Sequence, residues 1–96
     1  ASMKPLGQIV IDEGANRALK SGKSLLPAGV SGVSGSFERG DCVAITLANG
    51  AAVALGISSY SSTEAAALIG LKTSEIEAVL GYPARAALVH RNDMAV

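Results

Sequence analysis

Two apolar runs separated by an Asn-Gly step form the clearest pattern in the chain. Residues 42–47 and 52–57 are rich in Val, Ile, Leu and Ala, and Asn49-Gly50 lies between them. Asn-Gly flanked by such runs is the strongest short hairpin signal, and a two-residue loop would hold both Asn49 and Gly50 at positive φ. The pattern predicts two antiparallel strands, Cys42–Leu47 and Ala52–Ile57.

A two-residue loop also sets the register of this hairpin and the character of its two faces. The expected pairs include Ile45 with Ala54, Thr46 with Val53, and Leu47 with Ala52. Neither face of the resulting ribbon is plainly polar. A sheet that is apolar on both sides is covered on both, as in a small barrel with helices packed outside.

A strand followed directly by a helix is predicted before the hairpin. Residues 8–11 form a short β-branched run, and Asp12 is a good N-cap for a helix that begins at Glu13 and stops at Gly22. Glycines then recur every third residue over residues 29–35, a spacing that suits bends, bulges or close backbone approach better than a flat central strand.

Two short helices and a last strand are predicted after the hairpin. Ser61 and Glu64 fit a capping box, and a second helix starts at Thr73 or Ser74 and ends at Gly81. Its expected buried positions are Ile76, Val79 and Leu80. A final strand is expected over residues 86–90. This order of elements is that of an α+β fold, mainly β with short helices.

Composition narrows the classes of function. The chain has 96 residues, one cysteine, one histidine and a formal net charge of zero. Such a length predicts a single domain, and zero net charge argues against a nucleic-acid binder that relies on bulk charge. The lone cysteine cannot form an internal disulfide, which favours a reducing, cytoplasmic location. No apolar stretch reaches the roughly 20 residues of a membrane span, so no membrane partner is expected.

Candidate chemistry reduces to one basic cluster. Gly22-Lys23-Ser24 resembles the end of a phosphate-binding loop, but Arg17 stands where that motif needs glycine, and the expected helix precedes the motif. One histidine cannot build a conventional zinc site. Arg17, Lys20 and Lys23 lie within seven residues and could hold phosphates, although a solvated helix face is the usual fate of such side chains. Catalysis, cofactors and metals are not expected for this chain alone.

Several ordered segments resemble one family along nearly the whole chain. They are residues 7–15, the segment Gly-Lys-Ser-Leu-Leu-Pro-Ala-Gly-Val at 22–30, residues 35–41, and Val-His-Arg at 89–91. In this order they resemble the PUA domain at the C-terminus of bacterial glutamate 5-kinases. The resemblance implies one PUA domain over residues 7–96. Residues 1–6 are expected to be a cloning scar and linker, because Ala-Ser before a Met is typical of such a scar.

The resemblance implies a pseudo-β-barrel of about six strands flanked by two to three short helices. It also implies a place for structured RNA along the first helix, the loop after it and the last strand. Carried onto this sequence, the nucleic-acid-binding candidates are Arg17, Lys20, Lys23, Ser24, His90 and Arg91.

Two functions follow from this resemblance. One is a regulatory or assembly module of the kinase, which phosphorylates the γ-carboxylate of glutamate in proline biosynthesis; the alternative is weak binding of structured RNA. The implied partner is an N-terminal amino-acid-kinase domain that this chain lacks. That domain is expected to carry the ATP and magnesium sites, and the parent protein is expected to be a homo-oligomer.

Overall fold

Five strands and three short helices make up the fold. A computed structural model describes residues 4–81 and 87–95. In chain order the elements are β1 (Gly7–Ile11), α1 (Glu13–Lys20), β2 (Val30–Gly35), β3 (Cys42–Leu47), β4 (Ala52–Ile57), α2 (Ser62–Ala67), α3 (Thr73–Leu80) and β5 (Met94–Ala95). Short 3-10 turns lie at Pro27–Gly29 and Arg91–Asp93.

All five strands belong to one mixed sheet in the order β2-β1-β3-β4-β5. Strands β1 and β3 are parallel, whereas the other neighbours are antiparallel. An isolated bridge between Leu25 and Val89 adds a further pairing outside the named strands. The α+β class is confirmed; where about six strands were expected, the described residues form five and this single bridge.

The core lies on one face of the sheet. Ile9 and Ile45 are neighbours across β1 and β3 and are fully buried, as are Leu68 after α2 and Leu88 near the end of the chain. Phe37 is the largest of the fully buried side chains in this core. The core therefore draws on both ends of the sequence, which brings the last segment close to the first helix.

The hairpin forms with a different turn from the predicted one. The Gly50 N–H donates to the Leu47 carbonyl at 2.9 Å, and the Leu47 N–H donates to Ala51 at 3.0 Å, so the loop has three residues. Gly50 has φ of 88°, but no described residue other than glycine has positive φ, so the prediction for Asn49 is wrong. This is the second common hairpin solution, a turn followed by one left-handed glycine.

The three-residue loop shifts the register near the turn. Ile45 pairs with Ala54 as predicted, but Thr46 pairs with Ala52 rather than with Val53. Val53 is thus the extra residue of a β-bulge, and the predicted pair of Leu47 with Ala52 does not form. The bulge allows Val53 to pack against the core, and this burial favours the longer loop.

The two hairpin strands also differ in burial. Strand β3 is buried at its first five positions, as a strand between two neighbours with apolar faces should be. Strand β4 instead alternates, and Leu55 is 38% exposed. The expectation that both faces of the hairpin are covered is therefore wrong for β4.

The two later helices begin at the predicted positions. The Ser61 side chain accepts the Glu64 N–H at 3.2 Å, and the Glu64 carboxylate accepts the Ser61 N–H at 2.9 Å. Helix α3 starts at Thr73 and ends before Gly81, as predicted. Its buried residue is Ile76, whereas Val79 is 49% exposed, so that part of the predicted face is wrong.

The final segment is not the continuous strand that the pattern predicts. Residue 86 lies outside the described residues, and within residues 87–90 the pairing is the single bridge at Val89. The chain turns at Arg91–Asp93 and then pairs β5 with β4. Strand β5 has only two residues, Met94 and Ala95, and its extended conformation depends on pairing with β4 rather than on local propensity.

Candidate anion-binding site

Three positively charged side chains line one surface cavity. The cavity has a volume of about 400 Å³ and lies where the end of α1 meets the last segment of the chain. Its cations are Lys20, Lys23 and Arg91, and its other lining residues are Leu19, Gly22, Asn92 and Met94. Residues from two distant parts of the sequence thus converge on one place, which is called the basic cavity below.

The turn after α1 positions Lys23. The Gly22 N–H donates to the Leu19 carbonyl at 3.0 Å, and the Lys23 N–H donates to the Ala18 carbonyl at 3.1 Å. Gly22 has φ of 84°, so these bonds form the left-handed helix terminus known as a Schellman motif. The motif reverses the chain and returns Lys23 to the end of α1, beside Lys20 in the cavity wall.

A side-chain bond joins the loop after α1 to the last segment. The Ser24 Oγ accepts the Arg91 N–H at 2.9 Å. The bond spans 67 positions of sequence and fixes the backbone that carries the Arg91 guanidinium. Ser24 therefore acts on the cavity by holding the Arg91 backbone in place, and it lies outside the cavity lining.

Backbone bonds and a ring nitrogen reinforce this junction. The Leu25 N–H donates to the Val89 carbonyl at 2.9 Å, and the Leu88 N–H donates to Leu25 at 2.7 Å. The His90 Nδ1 accepts the Asn92 N–H at 3.2 Å and so caps the turn that carries Arg91.

The cations of the basic cavity are available to an anion. Lys20, Lys23 and Arg91 are exposed and form no ion pair with another described residue, in contrast to Arg39, which pairs with Glu64. Lys20 also lies in the last turn of α1, where the partial negative charge of the helix end favours a cation. An anion that enters the cavity therefore meets unneutralised positive charge without first breaking a salt bridge.

The predicted candidates divide into three groups. Lys20, Lys23 and Arg91 line the cavity, and Ser24 and His90 shape the backbone behind it. Arg17 lies one turn earlier on α1, is exposed, and stays outside the cavity lining. The cavity therefore includes Lys20 but not Arg17, although the sequence predicted that both residues share one binding face.

Sequence reasoning missed two polar or flexible members of this wall, Asn92 and Met94. The predicted strand over residues 86–90 gave no reason to expect a turn at Arg91–Asp93. The available signal was His90 two residues before Asn92, because a side-chain acceptor at that spacing can cap a short turn.

A second cavity adjoins the first and has a different character. It has a volume of about 460 Å³ and lies between α1 and the loop that leads to β2. Its lining is mostly small or apolar, with Ala15, Ala18 and Leu26 among its residues, and Lys23 belongs to both cavities. Lys23 therefore stands between a charged hollow and an apolar one.

The described residues offer no grouping suited to metal chemistry. Within residues 4–81 and 87–95, no three His, Cys, Asp or Glu side chains come together as metal ligands. In the same part of the chain, every helix is too short to cross a bilayer. The arrangement at the basic cavity is suited to holding an anion.

Comparison with known proteins decides the family. The PUA domain family model matches residues 7–80, which is most of the chain. The chain belongs to the PUA family. This confirms the resemblance seen in the sequence, and the mixed sheet with short helices is the architecture of that family.

Curated relatives are glutamate 5-kinases. The enzyme of Roseobacter denitrificans is 57% identical over 96 residues, which is 100% of this chain and 26% of the relative. That of Brucella ovis is 52% identical over 95 residues, or 99% of this chain and 25% of the relative. This PUA domain thus spans about a quarter of the length of these relatives and corresponds to their C-terminal region.

Solved structures show the same fold. A PUA domain from Aeropyrum pernix K1 in a tartrate complex has a TM-score of 0.64 and 28% identity, covering 88% of this chain and 41% of that one. The archaeal box H/ACA sRNP Nop10-Cbf5 complex contains a match with a TM-score of 0.61 and 24% identity, covering 91% and 26%. At such identity the second likeness concerns the fold alone.

Proposed function

We propose that this PUA domain is a non-catalytic part of a glutamate 5-kinase and that its basic cavity binds phosphate groups of structured RNA. The observation that carries the proposal is the convergence of Lys20, Lys23 and Arg91, exposed and without ion pairs to other described residues, on one hollow. Convergent cations attract phosphates, and an arginine adds bidentate geometry.

The composition of the site favours the sugar-phosphate backbone over the bases as the ligand. The chain has two tyrosines, one phenylalanine and no tryptophan, and Phe37 and Tyr60 are buried. Proteins that bind single-stranded nucleic acid stack its bases on exposed aromatic rings, and this chain has few aromatic side chains. Recognition by shape and backbone is the mode that suits structured RNA.

The hydrogen bonds that join the two chain segments behind the cavity support this proposal. The Ser24 to Arg91 bond and the Leu25 to Val89 bridge hold the two charged segments in fixed relation before any ligand arrives. Such preorganisation lowers the ordering cost of binding.

The affinity should be modest. Neutralising Z phosphates on duplex RNA or DNA gives a slope of log affinity against log salt of about −0.9Z, so three cavity cations predict a slope of about −3. With zero net charge on the whole chain, little long-range attraction adds to this. We expect micromolar, largely sequence-independent binding.

A salt series tests the proposal. A folded RNA is titrated against the 96-residue chain at several salt concentrations and compared with the same series for Arg91→Ala. The wild type should give a slope of about −3 and the variant a shallower slope of about −2, because one phosphate contact is lost. Equal slopes for the two proteins would contradict the assignment of Arg91.

A regulatory or assembly role in the parent kinase is the second candidate. Identity of 52–57% to glutamate 5-kinases over essentially the whole chain favours a function tied to that enzyme. Under this proposal the kinase part contains the ATP and magnesium sites, and the whole protein forms a homo-oligomer. Comparing activity, proline inhibition and assembly size of the full kinase with and without the PUA domain tests it.

A further inference from the structure

The face of the sheet turned away from the core carries no charge. Cross-strand partners share a face, so Gln8, Ala44, Leu55 and Ala95 form one row across four strands. The five strands Gly7–Ile11, Val30–Gly35, Cys42–Leu47, Ala52–Ile57 and Met94–Ala95 contain no Asp, Glu, Lys or Arg. This surface is called the outer sheet face below.

On the outer sheet face the residues of β3 are buried between their neighbours, whereas apolar side chains of the flanking strands are partly open to solvent. Leu55 is 38% exposed, and Val10 and Ile57 are half-buried. Val10 lies in the row of Thr46, and Ile57 lies opposite Cys42, so all three belong to this face. A sheet face meant for water normally alternates to polar residues, and its edges carry charges that block association.

Leu6 extends the same face toward the preceding polypeptide. Its N–H donates to the Cys42 carbonyl at 2.9 Å, and its side chain, 54% exposed, stands two residues before Gln8 in the alternation of β1. Any polypeptide that precedes Leu6 therefore reaches the domain beside the outer sheet face. In the related kinases, about three quarters of the polypeptide lies before the matched region.

We propose that the outer sheet face docks against an uncharged apolar surface of the kinase part of the same polypeptide. The inference rests on the proposed function, in which this domain is part of a glutamate 5-kinase. The lack of charge excludes recognition by salt bridges and suits an apolar counterpart. A covalent link supplies a high effective concentration, so a small apolar patch suffices where separate proteins would need a standard interface of 1,200–2,000 Å².

The test uses the full-length kinase that carries this domain, with Leu55→Lys as the variant of the face. Gln8→Lys is a second variant in the same row, where the exposed side chain leaves the core untouched. Val79→Lys is the matched control, since Val79 is an exposed apolar residue on α3. The readouts are the rate of proteolytic cleavage just before Leu6 and the radius of gyration in solution.

Both face variants should speed cleavage about tenfold and enlarge the radius of gyration, because cleavage follows the population of the undocked form. The Val79→Lys kinase should behave as wild type. Thermal unfolding of the 96-residue chain with each change checks that the fold survives.

Equal cleavage rates in wild type and both face variants would overturn the proposal. So would loss of oligomer with unchanged cleavage, which would assign the face to a second copy of the chain. RNA affinity of the Leu55→Lys chain should equal that of wild type, so failure of docking and failure of RNA binding are separately visible.

Discussion

Replacing Gly22 with alanine tests the link between one backbone angle and the basic cavity. Gly22 has φ of 84° and closes α1, and the next residue is Lys23 of the cavity wall. A Cβ added at Gly22 would meet no atom within 4 Å. The substitution therefore lowers the free energy of unfolding through the backbone conformation of residue 22 and not through a steric clash.

The magnitude follows from two opposing effects. Holding an alanine in the left-handed region costs about 1–2 kcal/mol, and alanine lowers the entropy of the unfolded chain by about 0.4–1 kcal/mol. The net loss in the free energy of unfolding is about 1 kcal/mol. For a domain of this size, that loss lowers Tm by about 4–8 °C.

Gly14→Ala in the same helix is the matched control, because its sign should be opposite. Gly14 lies inside α1, and a Cβ there would stand 3.4 Å from the Asp12 Oδ1, an ordinary contact. Alanine is the better helix former by about 0.5–1 kcal/mol, so Tm should rise. Thermal unfolding followed by circular dichroism measures both variants.

The functional consequence is measured by RNA titration. If Gly22→Ala unwinds the helix terminus, Lys23 leaves the cavity wall and affinity falls, whereas a chemically synthesised chain with D-alanine at 22 keeps both stability and affinity. An unchanged Tm for Gly22→Ala would refute the Schellman turn as the device that places Lys23.

Three further predictions follow from the same structure. Gly50→Val should lower the free energy of unfolding by about 1 kcal/mol or more, since φ of 88° is strained for valine, and an unchanged urea midpoint would count against the turn. Ser24→Ala removes the acceptor of the Arg91 N–H and should cost about 1 kcal/mol in thermal unfolding while weakening RNA binding; stability and affinity both equal to wild type would disprove the tether. The purified chain should neither hydrolyse ATP nor phosphorylate glutamate, and turnover that survives repurification would show that this domain is itself catalytic.

Elements defined by local chemistry were predictable from the sequence. Asp12 caps α1 and accepts the Ala15 N–H at 2.7 Å, and Ser61 caps α2 within a capping box. Each signal acts over three or four residues, so tertiary contacts do not need to be known. The glycine spacing also predicted bends or bulges in β2. Val10 pairs with Gly32 and Ile11 with Val30, so the register shifts by one residue of β2 at this point.

Elements decided by distant contacts were not predictable. Asn-Gly fits a loop of two or three residues, and burial of Val53 against the core favours the longer one. The turn that carries Arg91 depends on Ser24, 67 positions away, and on the His90 ring. The charged residues of the cavity could be named from the sequence, but the turn that brings them together could not.

Charge reversal with a matched control shows whether the basic cavity is a phosphate site. Lys20→Glu with Lys23→Glu changes the net charge by the same amount as Lys4→Glu with Lys72→Glu, two exposed lysines outside the cavity lining. Each double variant is titrated with one folded RNA at low and physiological salt. We expect the first variant to lose binding at both concentrations and the second to stay within about threefold of wild type, since long-range charge acts weakly under screening. Equal losses in both variants, or wild-type affinity in the first, would contradict a phosphate site in the basic cavity.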